Sequence, residues 1–180
     1  MKKEIFKEIK IPKEVEVSLD GTTLTVKGEK GELKRKFKTD KIIFEIKDDK
    51  IIMGNKKATK KEKKMINTNI SHIKNMIKGV REGFEYKLKA VFSHFPMTIE
   101  IKDDIAVIKN FIGEKVPRKV KLPKGVNVKI NGQDITITSP DKEAAGQAAA
   151  NLETITKIRL RDRRVFQDGI FMTNKAGKEI

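Results

Sequence analysis

The sequence predicts an α+β fold made of two similar tandem domains, each a small, mostly antiparallel sheet with one helix packed on it. Two observations support this prediction. One segment of the chain is repeated, and two amphipathic stretches of helical period are each preceded by segments that alternate apolar and polar residues. Runs of strands accompanied by single helices are typical of α+β proteins. The length of 180 residues allows one large domain or two small ones.

The repeat relates residues 9–28 to residues 120–139, which align without a gap 111 positions further along the chain. Each copy contains two runs in which every second residue is apolar, the period of a strand. An Asp-Gly dipeptide at 20–21 separates the runs in the first copy, and Asn-Gly at 131–132 separates them in the second. These dipeptides favour the positive φ of tight hairpin turns. Each copy is therefore predicted to be a β-hairpin, and duplication explains the match better than chance convergence does.

The rest of the first domain is predicted to form short strands and a long helix. Strands are expected at Leu33–Phe37 and Ile42–Met53. Thr59 and Glu62 have the spacing of a capping box at a helix N-terminus, and Gly83 suits the C-terminus. Apolar residues between them recur at steps of three and four, a stripe that would face the core. The stripe consists of Ile66, Ile70, Ile73, Ile77 and Val80.

The second domain is predicted to contain strands at Tyr86–Phe92 and Thr98–Asn110, followed by a helix. Ser139 is the expected N-cap of this helix, with Pro140 at the first helical position. Its apolar stripe is narrow and consists of Ala145, Ala148, Ala149, Leu152 and Ile155. The domains predicted from these elements are residues 1–82 and 83–175, with a tail at 176–180.

A basic segment follows the second helix and is predicted to be a strand. Ile158 and Leu160 alternate with cationic residues, so one side is expected to face the core and the other the solvent. Asp168 and Gly169 then predict a turn.

The net charge of the chain limits the classes of partner that it is expected to bind. There are 41 Lys and Arg residues against 25 Asp and Glu, a net charge of +16, which suggests a polyanion such as nucleic acid or an anionic membrane. A well-solvated surface rich in lysine is the alternative. The chain has no cysteine, which excludes disulfides and thiolate metal sites and is compatible with a reducing compartment. No apolar run is long enough to span a membrane, so neither a transmembrane helix nor a signal peptide is expected.

Four of the seven arginines lie between residues 159 and 164, and this clustering indicates nucleic-acid contact. Guanidinium groups bind phosphates with two parallel hydrogen bonds, whereas a merely solvated surface would be served equally well by lysine. Ion pairing to Asp162 or Asp168 is the structural alternative. Phe166 and Phe171 flank the cluster and are candidates for stacking on a base. The predicted RNA-binding residues are Lys157, Arg159, Arg161, Arg163, Arg164 and Lys175.

A second basic cluster lies directly before the first predicted helix and in its first turns. We weigh RNA contact there equally against a solvated loop. The cationic residues are unfavourable near the positive end of the helix dipole, so a bound anion would be stabilising. The residues are Lys56, Lys57, Lys60, Lys61, Lys63 and Lys64.

The sequence contains no set of residues that indicates catalysis. His72 and His94 are far apart and lack cysteine partners, so packing or hydrogen bonding explains them better than a metal site. The acidic pairs at 48–49 and 103–104 fall where turns are expected rather than forming a carboxylate pair. Neither a phosphate-binding loop nor a nucleophile with an adjacent base is visible. We therefore expect no enzymatic activity, cofactor, metal or small-molecule substrate.

Several motifs resemble those of the large-ribosomal-subunit protein six family, the universal L-six family. They are the segment NMIKGV at 75–80 followed by GFEYK at 83–87, His-Phe-Pro at 94–96, NFIGE at 110–114 and DRRVFQDGIF at 162–171. The last resembles the ending of archaeal and eukaryotic members, although Phe171 stands where Tyr is common. The Lys/Gly-rich ending of bacterial members is absent.

The resemblance implies two similar α+β domains, no enzymatic activity and no cofactor. It implies a structural role in the cytoplasmic ribosome, where the second domain makes most of the contact with large-subunit ribosomal RNA. The site implied lies near the base of the stalk and the sarcin–ricin loop, beside neighbouring ribosomal proteins and where translational GTPases dock. An RNA-binding module or RNA chaperone outside the ribosome is the alternative, and a nuclease or RNA-modifying enzyme is the third hypothesis.

Overall fold

The computed structural model describes residues 3–39, 41–47 and 49–180, with the side chain of Lys3 outside the description. The chain forms two compact units, Met1–Gly83 and Phe84–Ile180. Within the described ranges, each unit contains one α-helix and all strand pairs are antiparallel. The predicted α+β class is therefore confirmed. Asp48, half of the acidic pair at 48–49, lies outside the described residues.

The first unit contains two three-stranded sheets and a helix. One sheet has the order β2-β3-β4, and the other has the order β1-β6-β5. The strands are β1 (Lys3–Lys10), β2 (Glu16–Asp20), β3 (Thr23–Gly28), β4 (Gly31–Lys36), β5 (Ile43–Lys47) and β6 (Lys50–Ala58), and the helix is α1 (Lys60–Arg81). Leu24 on β3 and Ile51 on β6 are fully buried, and α1 packs on both strands. The core of this unit therefore lies between the helix and the two sheets.

Helix α1 begins and ends where the sequence predicts. The Glu62 carboxylate accepts a hydrogen bond from the backbone N–H of Thr59 at 2.7 Å, which satisfies one of the donors left open at the helix start. Gly83 has a φ of +79°, and its N–H donates to the Gly79 carbonyl at 2.9 Å. Glycine adopts this left-handed conformation without steric cost, so it ends the helix. All five residues of the predicted apolar stripe are buried.

The second unit contains a five-stranded sheet, a three-stranded sheet and one helix. The orders are β11-β12-β7-β13-β14 and β10-β9-β8. The elements are β7 (Phe84–Val91), β8 (Thr98–Lys102), β9 (Ile105–Lys109), a 3₁₀ turn (Phe111–Gly113), β10 (Arg118–Lys121), β11 (Asn127–Asn131), β12 (Asp134–Ser139), α2 (Lys142–Ile155), β13 (Gly169–Lys175) and β14 (Lys178–Glu179). Helix α2 packs on β7, β12 and β13 with small side chains, including Ala145, Ala148 and Ala149, which are fully buried.

The two copies of the repeat form hairpins with the same register. Val17 lies opposite Val26 in the first hairpin, and Val128 lies opposite Ile137 in the second. The turn glycines, Gly21 and Gly132, have φ values of +58° and +61°. In both units the second strand of the hairpin is an interior strand of its sheet and contacts the helix. The repeat is therefore a structural repeat as well as one of sequence.

The elements of the two units follow one another along the chain in a different order. In the first unit the hairpin β2–β3 is followed by three further strands before α1, whereas in the second unit β11–β12 leads directly into α2. In the first unit, the other neighbour of β3 is β4, which follows the hairpin. In the second unit, the other neighbour of β12 is β7, the first strand of that unit. The sequence match ends with the hairpin because different elements follow it.

Helix α2 begins two residues later than predicted. Its N-cap is Asp141, whose carboxylate accepts from the Glu143 N–H at 2.9 Å, and not Ser139. Ser139 is the last residue of β12, and its hydroxyl donates to the Gly125 carbonyl at 2.9 Å. That bond to another strand connection holds Ser139 in the sheet. Ile155 at the end of the stripe is half-buried.

The prediction of a strand directly after α2 is wrong. Residues 156–168 contain no strand, and Leu160 is fully exposed with a φ of +58°, a value incompatible with a strand. Ile158 is buried as predicted, so only half of the alternation is realised. Residues 176–180, predicted as a tail, contain β14, which pairs with β13 and extends the sheet.

Gly28 allows the end of β3 to lie against the last turn of α1. A Cβ atom at this position would lie 2.8 Å from the Val80 carbonyl oxygen, which already accepts from the Lys30 N–H at 2.9 Å. We expect Gly28→Ala to lower the free energy of unfolding by about 1–3 kcal/mol, because backbone on both sides must shift. Urea denaturation of the full chain measures this, and an unchanged midpoint would contradict the close packing.

Candidate nucleic-acid interface

The clustered arginines lie on a loop of residues 157–167, here called the arginine loop, which connects α2 to β13. The two ends of the loop are held together at its base. The Thr156 hydroxyl accepts from the Ile170 N–H at 2.9 Å and lies 3.2 Å from the Leu152 carbonyl oxygen, which links the last turn of α2 to β13. Thr156 and Ile170 are both buried. The loop therefore projects from a fixed base in the second unit.

Asp168 fixes the end of the loop to the connection that follows β7. Its buried carboxylate accepts from the backbone N–H groups of Ser93 and His94 at 2.6 and 3.2 Å, and lies 2.6 Å from Nδ1 of His94. Burial is the largest single influence on the carboxyl and raises its pKa, but the three hydrogen bonds together hold the pKa below the usual value. Asp168 is thus an anchor between distant segments and not the turn residue predicted.

Phe166 lies between this anchor and an arginine. The ring of His94 is stacked on the ring of Phe166 with their centroids 4.7 Å apart, and the guanidinium carbon of Arg161 lies over the Phe166 ring, 4.8 Å from its centroid. Packing or hydrogen bonding was the preferred explanation of His94, and both are present.

Arg164 forms the ion pair that was the structural alternative for the cluster. Its guanidinium lies 3.0 Å from the Asp162 carboxylate. Hydrogen bonds from the side chain and the backbone N–H of Arg164 hold the pKa of the Asp162 carboxyl below its usual value. Since Arg164 is otherwise highly exposed, this pair is screened by solvent and leaves the group accessible. Asp168 pairs with His94 and not with an arginine.

The structure distributes the remaining predicted residues over two clefts and one strand end. Lys157 and Arg163 line a cleft of about 700 Å³ together with Phe166 and Phe171. Arg159 lines a second cleft, of about 590 Å³, beside α2. Lys175 lies at the end of β13, opposite Lys178. All six predicted cationic side chains are exposed, and five of them lie at or beside the arginine loop.

The second basic cluster is also exposed, but on the other unit. Lys56 and Lys57 lie on β6, and the other four cationic residues lie in the first two turns of α1. The arginine loop is the better-defined candidate because it combines exposed cations with two clefts and a cation–aromatic contact.

Arg118 supports the interface, although no pattern in the sequence indicated it. Its guanidinium binds the Glu114 carboxylate through two hydrogen bonds of 2.8 and 2.5 Å and donates to the Ile155 carbonyl at 2.6 Å. The side-chain hydrogen bonds from Arg118 hold the pKa of the Glu114 carboxyl below its usual value. Arg118 thereby satisfies a carbonyl at the C-terminus of α2, directly before the arginine loop. Its isolation from the other arginines hid this role.

Among the residues that the structure describes, no group of three or more His, Asp or Glu side chains has the arrangement needed to hold a metal ion. No helix in these described ranges is long and apolar enough to cross a membrane.

Replacing Asp168 tests its role as an anchor. We expect Asp168→Asn to lower the free energy of unfolding by about 1–3 kcal/mol at pH 7, because the charged acceptor of two backbone donors is lost.

The folded-state pKa of Asp168 is lowered, so the stabilisation that its carboxylate provides is complete above the ordinary carboxyl pKa of about 3.9. It is lost as pH falls through the lower folded value. Denaturant unfolding should show a difference between the two proteins that is constant above about pH 5 and narrows below about pH 4. A difference that widens in acid would contradict the lowered pKa.

A tandem α+β protein with a strongly basic composition and an arginine loop on a fixed base has the features of a nucleic-acid-binding protein. The profile of the family "Ribosomal protein L6" matches residues 11–83 and again residues 95–169. The chain belongs to the ribosomal protein L6 family, as its motifs predicted.

Its relatives include three archaeal proteins described as large ribosomal subunit protein uL6. The protein of Methanococcus vannielii is 44% identical over 174 residues, which cover 97% of this chain and 96% of the relative. That of Methanobrevibacter smithii is 46% identical over 171 residues, covering 95% and 96%. That of Methanosarcina mazei is 43% identical over 176 residues, covering 98% and 100%. The similarity extends over nearly the whole length of each chain.

Proposed function

We propose that the chain is a structural, non-enzymatic constituent of the large ribosomal subunit in the cytoplasm, where it binds large-subunit ribosomal RNA. The observation that carries this proposal is the exposed arginine loop of the second unit in a member of the ribosomal protein L6 family. The second unit, taken as residues 83–175, is the main RNA-binding domain. The lysines at the start of α1 form a secondary surface.

The proposed mechanism is neutralisation of phosphates with release of counterions. Guanidinium groups donate to phosphate oxygens in pairs, and they recognise the shape of the RNA backbone rather than a base sequence. Leu160 and Val165 on the same loop are exposed by 106% and 61%. Exposed apolar side chains beside cations fit a loop that is covered by RNA or by a neighbouring ribosomal protein in the assembled particle.

The finer location rests on the resemblance of the family motifs. The location that we propose is near the base of the stalk and the sarcin–ricin loop, with translational GTPases docking nearby. The segment DRRVFQDGIF, one of the four motifs that carry this resemblance, includes about half of the arginine loop and the Asp168 anchor.

Sedimentation of a cell extract tests the proposal. We expect the chain to migrate with large subunits and to remain with them through a wash at moderate salt. Stable migration with small RNAs or free protein fractions would support an RNA chaperone outside the ribosome instead and would contradict the proposal. Turnover of labelled RNA by the purified protein would contradict the structural role.

A further inference from the structure

We propose that Phe166, His94 and Asp168 are positioning residues for RNA binding, which together hold the Arg161 guanidinium in the orientation that binds a phosphate. This inference rests on the proposed function and adds to it the residues that order the binding group. None of the three carries a permanent positive charge. The sequence suggested Phe166 only as a residue that stacks on a base, and it did not indicate His94 or Asp168 as part of an RNA-binding site.

The first step is the connection between Asp168 and His94. Both carboxylate oxygens are used: Oδ1 accepts from two backbone N–H groups, and Oδ2 lies 2.6 Å from Nδ1 of the His94 ring. A hydrogen bond to one ring nitrogen sets the orientation of an imidazole. Because the carboxylate is buried and holds the ring together with its backbone, His94 has little freedom to rotate.

The second step is the stack on Phe166. The His94 and Phe166 rings are inclined by 26°, and Arg161 lies over the same Phe166 ring. A turn brings Arg161 and Phe166 together, since the N–H groups of Val165 and Phe166 donate to the Asp162 carbonyl at 3.2 and 3.0 Å. The guanidinium is thus held on a ring that is itself held by the anchored imidazole.

The third step is the availability of the Arg161 donors. A cation above an aromatic ring is attracted by the face of the ring, and this interaction uses none of its N–H donors. Within the described part of the chain, Arg161 makes no hydrogen bond or close ion pair, although the nearby Glu114 carboxylate attracts it electrostatically. Arg118 and Arg164 differ, because carboxylates occupy their donors. Arg161 is therefore ordered in advance while its N–H donors make no hydrogen bond within the described residues, so less conformational freedom is lost when they bind a phosphate.

A double-mutant cycle tests the inference, with Phe166→Leu and Arg161→Gln made singly and together in the full chain. Affinity for purified large-subunit ribosomal RNA is measured by filter binding at several salt concentrations. We expect Phe166→Leu to weaken binding by about threefold to tenfold in the wild-type background and to have almost no effect when Arg161 is already Gln. Phe166→Tyr keeps the ring and should bind as the wild type does. Phe92→Leu, the same kind of change at a half-buried position of this unit, should leave the affinity unchanged.

Equal effects of Phe166→Leu in the two backgrounds would overturn the inference, because they would show a purely structural role. If Arg161→Gln alone binds as the wild type, the inference fails together with the assignment of Arg161 in the proposed function. A loss with Arg161→Gln that is not coupled to Phe166 overturns the inference alone. Should Phe166→Leu not fold by circular dichroism, the same cycle with His94→Gln, which removes the stacked ring, decides between these outcomes.

Discussion

Replacing Ile73 by alanine is expected to lower the free energy of unfolding of the first unit by about 2–5 kcal/mol. Ile73 is fully buried at the centre of the α1 stripe and belongs to the cluster of buried side chains that includes Leu24 and Ile51. Removal of its side-chain carbons leaves a cavity that the surrounding strands can fill only in part. Thermal and urea denaturation of the full chain measure the loss, and RNA binding by the second unit should be largely retained.

Ile43 supplies a matched control for this substitution. It lies on β5 in the same unit but is 38% exposed, so Ile43→Ala should cost much less than Ile73→Ala. An Ile73→Ala protein with unchanged thermal stability would refute the assignment of this face of α1 to the core.

Replacing Arg161 and Arg163 by glutamine is expected to weaken binding to large-subunit ribosomal RNA and to reduce its salt dependence. Both groups are exposed on the arginine loop, and neither donates to a carboxylate within the described residues. Each phosphate contact contributes about 0.7–0.9 to the slope of log affinity against log salt, so loss of two contacts should reduce the slope by about 1.4–1.8. Filter binding across several salt concentrations measures both quantities.

Lys119 and Lys129 provide the charge-matched control for the arginine pair. They are exposed on β10 and β11 of the same unit, and Lys119→Gln with Lys129→Gln removes the same charge. This variant should keep most of the slope, and circular dichroism should be unchanged for both double variants. If the arginine variant keeps the wild-type affinity and slope, the cluster is structural, and the RNA surface must be sought among the lysines of 56–64.

The elements predicted correctly are those specified by neighbouring residues. The hairpins were visible because an Asp-Gly or Asn-Gly turn separates alternating runs, and their registers follow. Helix α1 was visible because its stripe is long and both ends carry capping residues. The start of α2 was misplaced because Ser139 and Asp141 are both able to cap it. The Ser139 hydroxyl accepts from the Asp141 N–H at 3.1 Å, but the helix starts only after Asp141, whose carboxylate accepts from the Glu143 N–H at 2.9 Å. Sequence spacing does not show that competition.

The interface was predicted in composition but not in shape. The alternation of Ile158 and Leu160 with cationic residues extends over only a few positions. So short a pattern does not distinguish a strand from a loop in which one apolar side chain is buried. The geometry of the loop depends on Asp168 and His94, which are 74 positions apart in the chain. A contact of that separation is fixed by tertiary packing and has no local pattern. The sequence therefore indicated the cationic residues of the interface but not Asp168 and His94, which hold the loop that carries them.

The most direct test of the central claim is a reconstructed map of the large ribosomal subunit containing this chain. We expect the guanidinium groups of Arg161 and Arg163 within hydrogen-bonding distance of phosphate oxygens of large-subunit ribosomal RNA, with Phe166 still beneath Arg161. A map in which the arginine loop faces solvent, while the first turns of α1 lie on RNA, would contradict the claim.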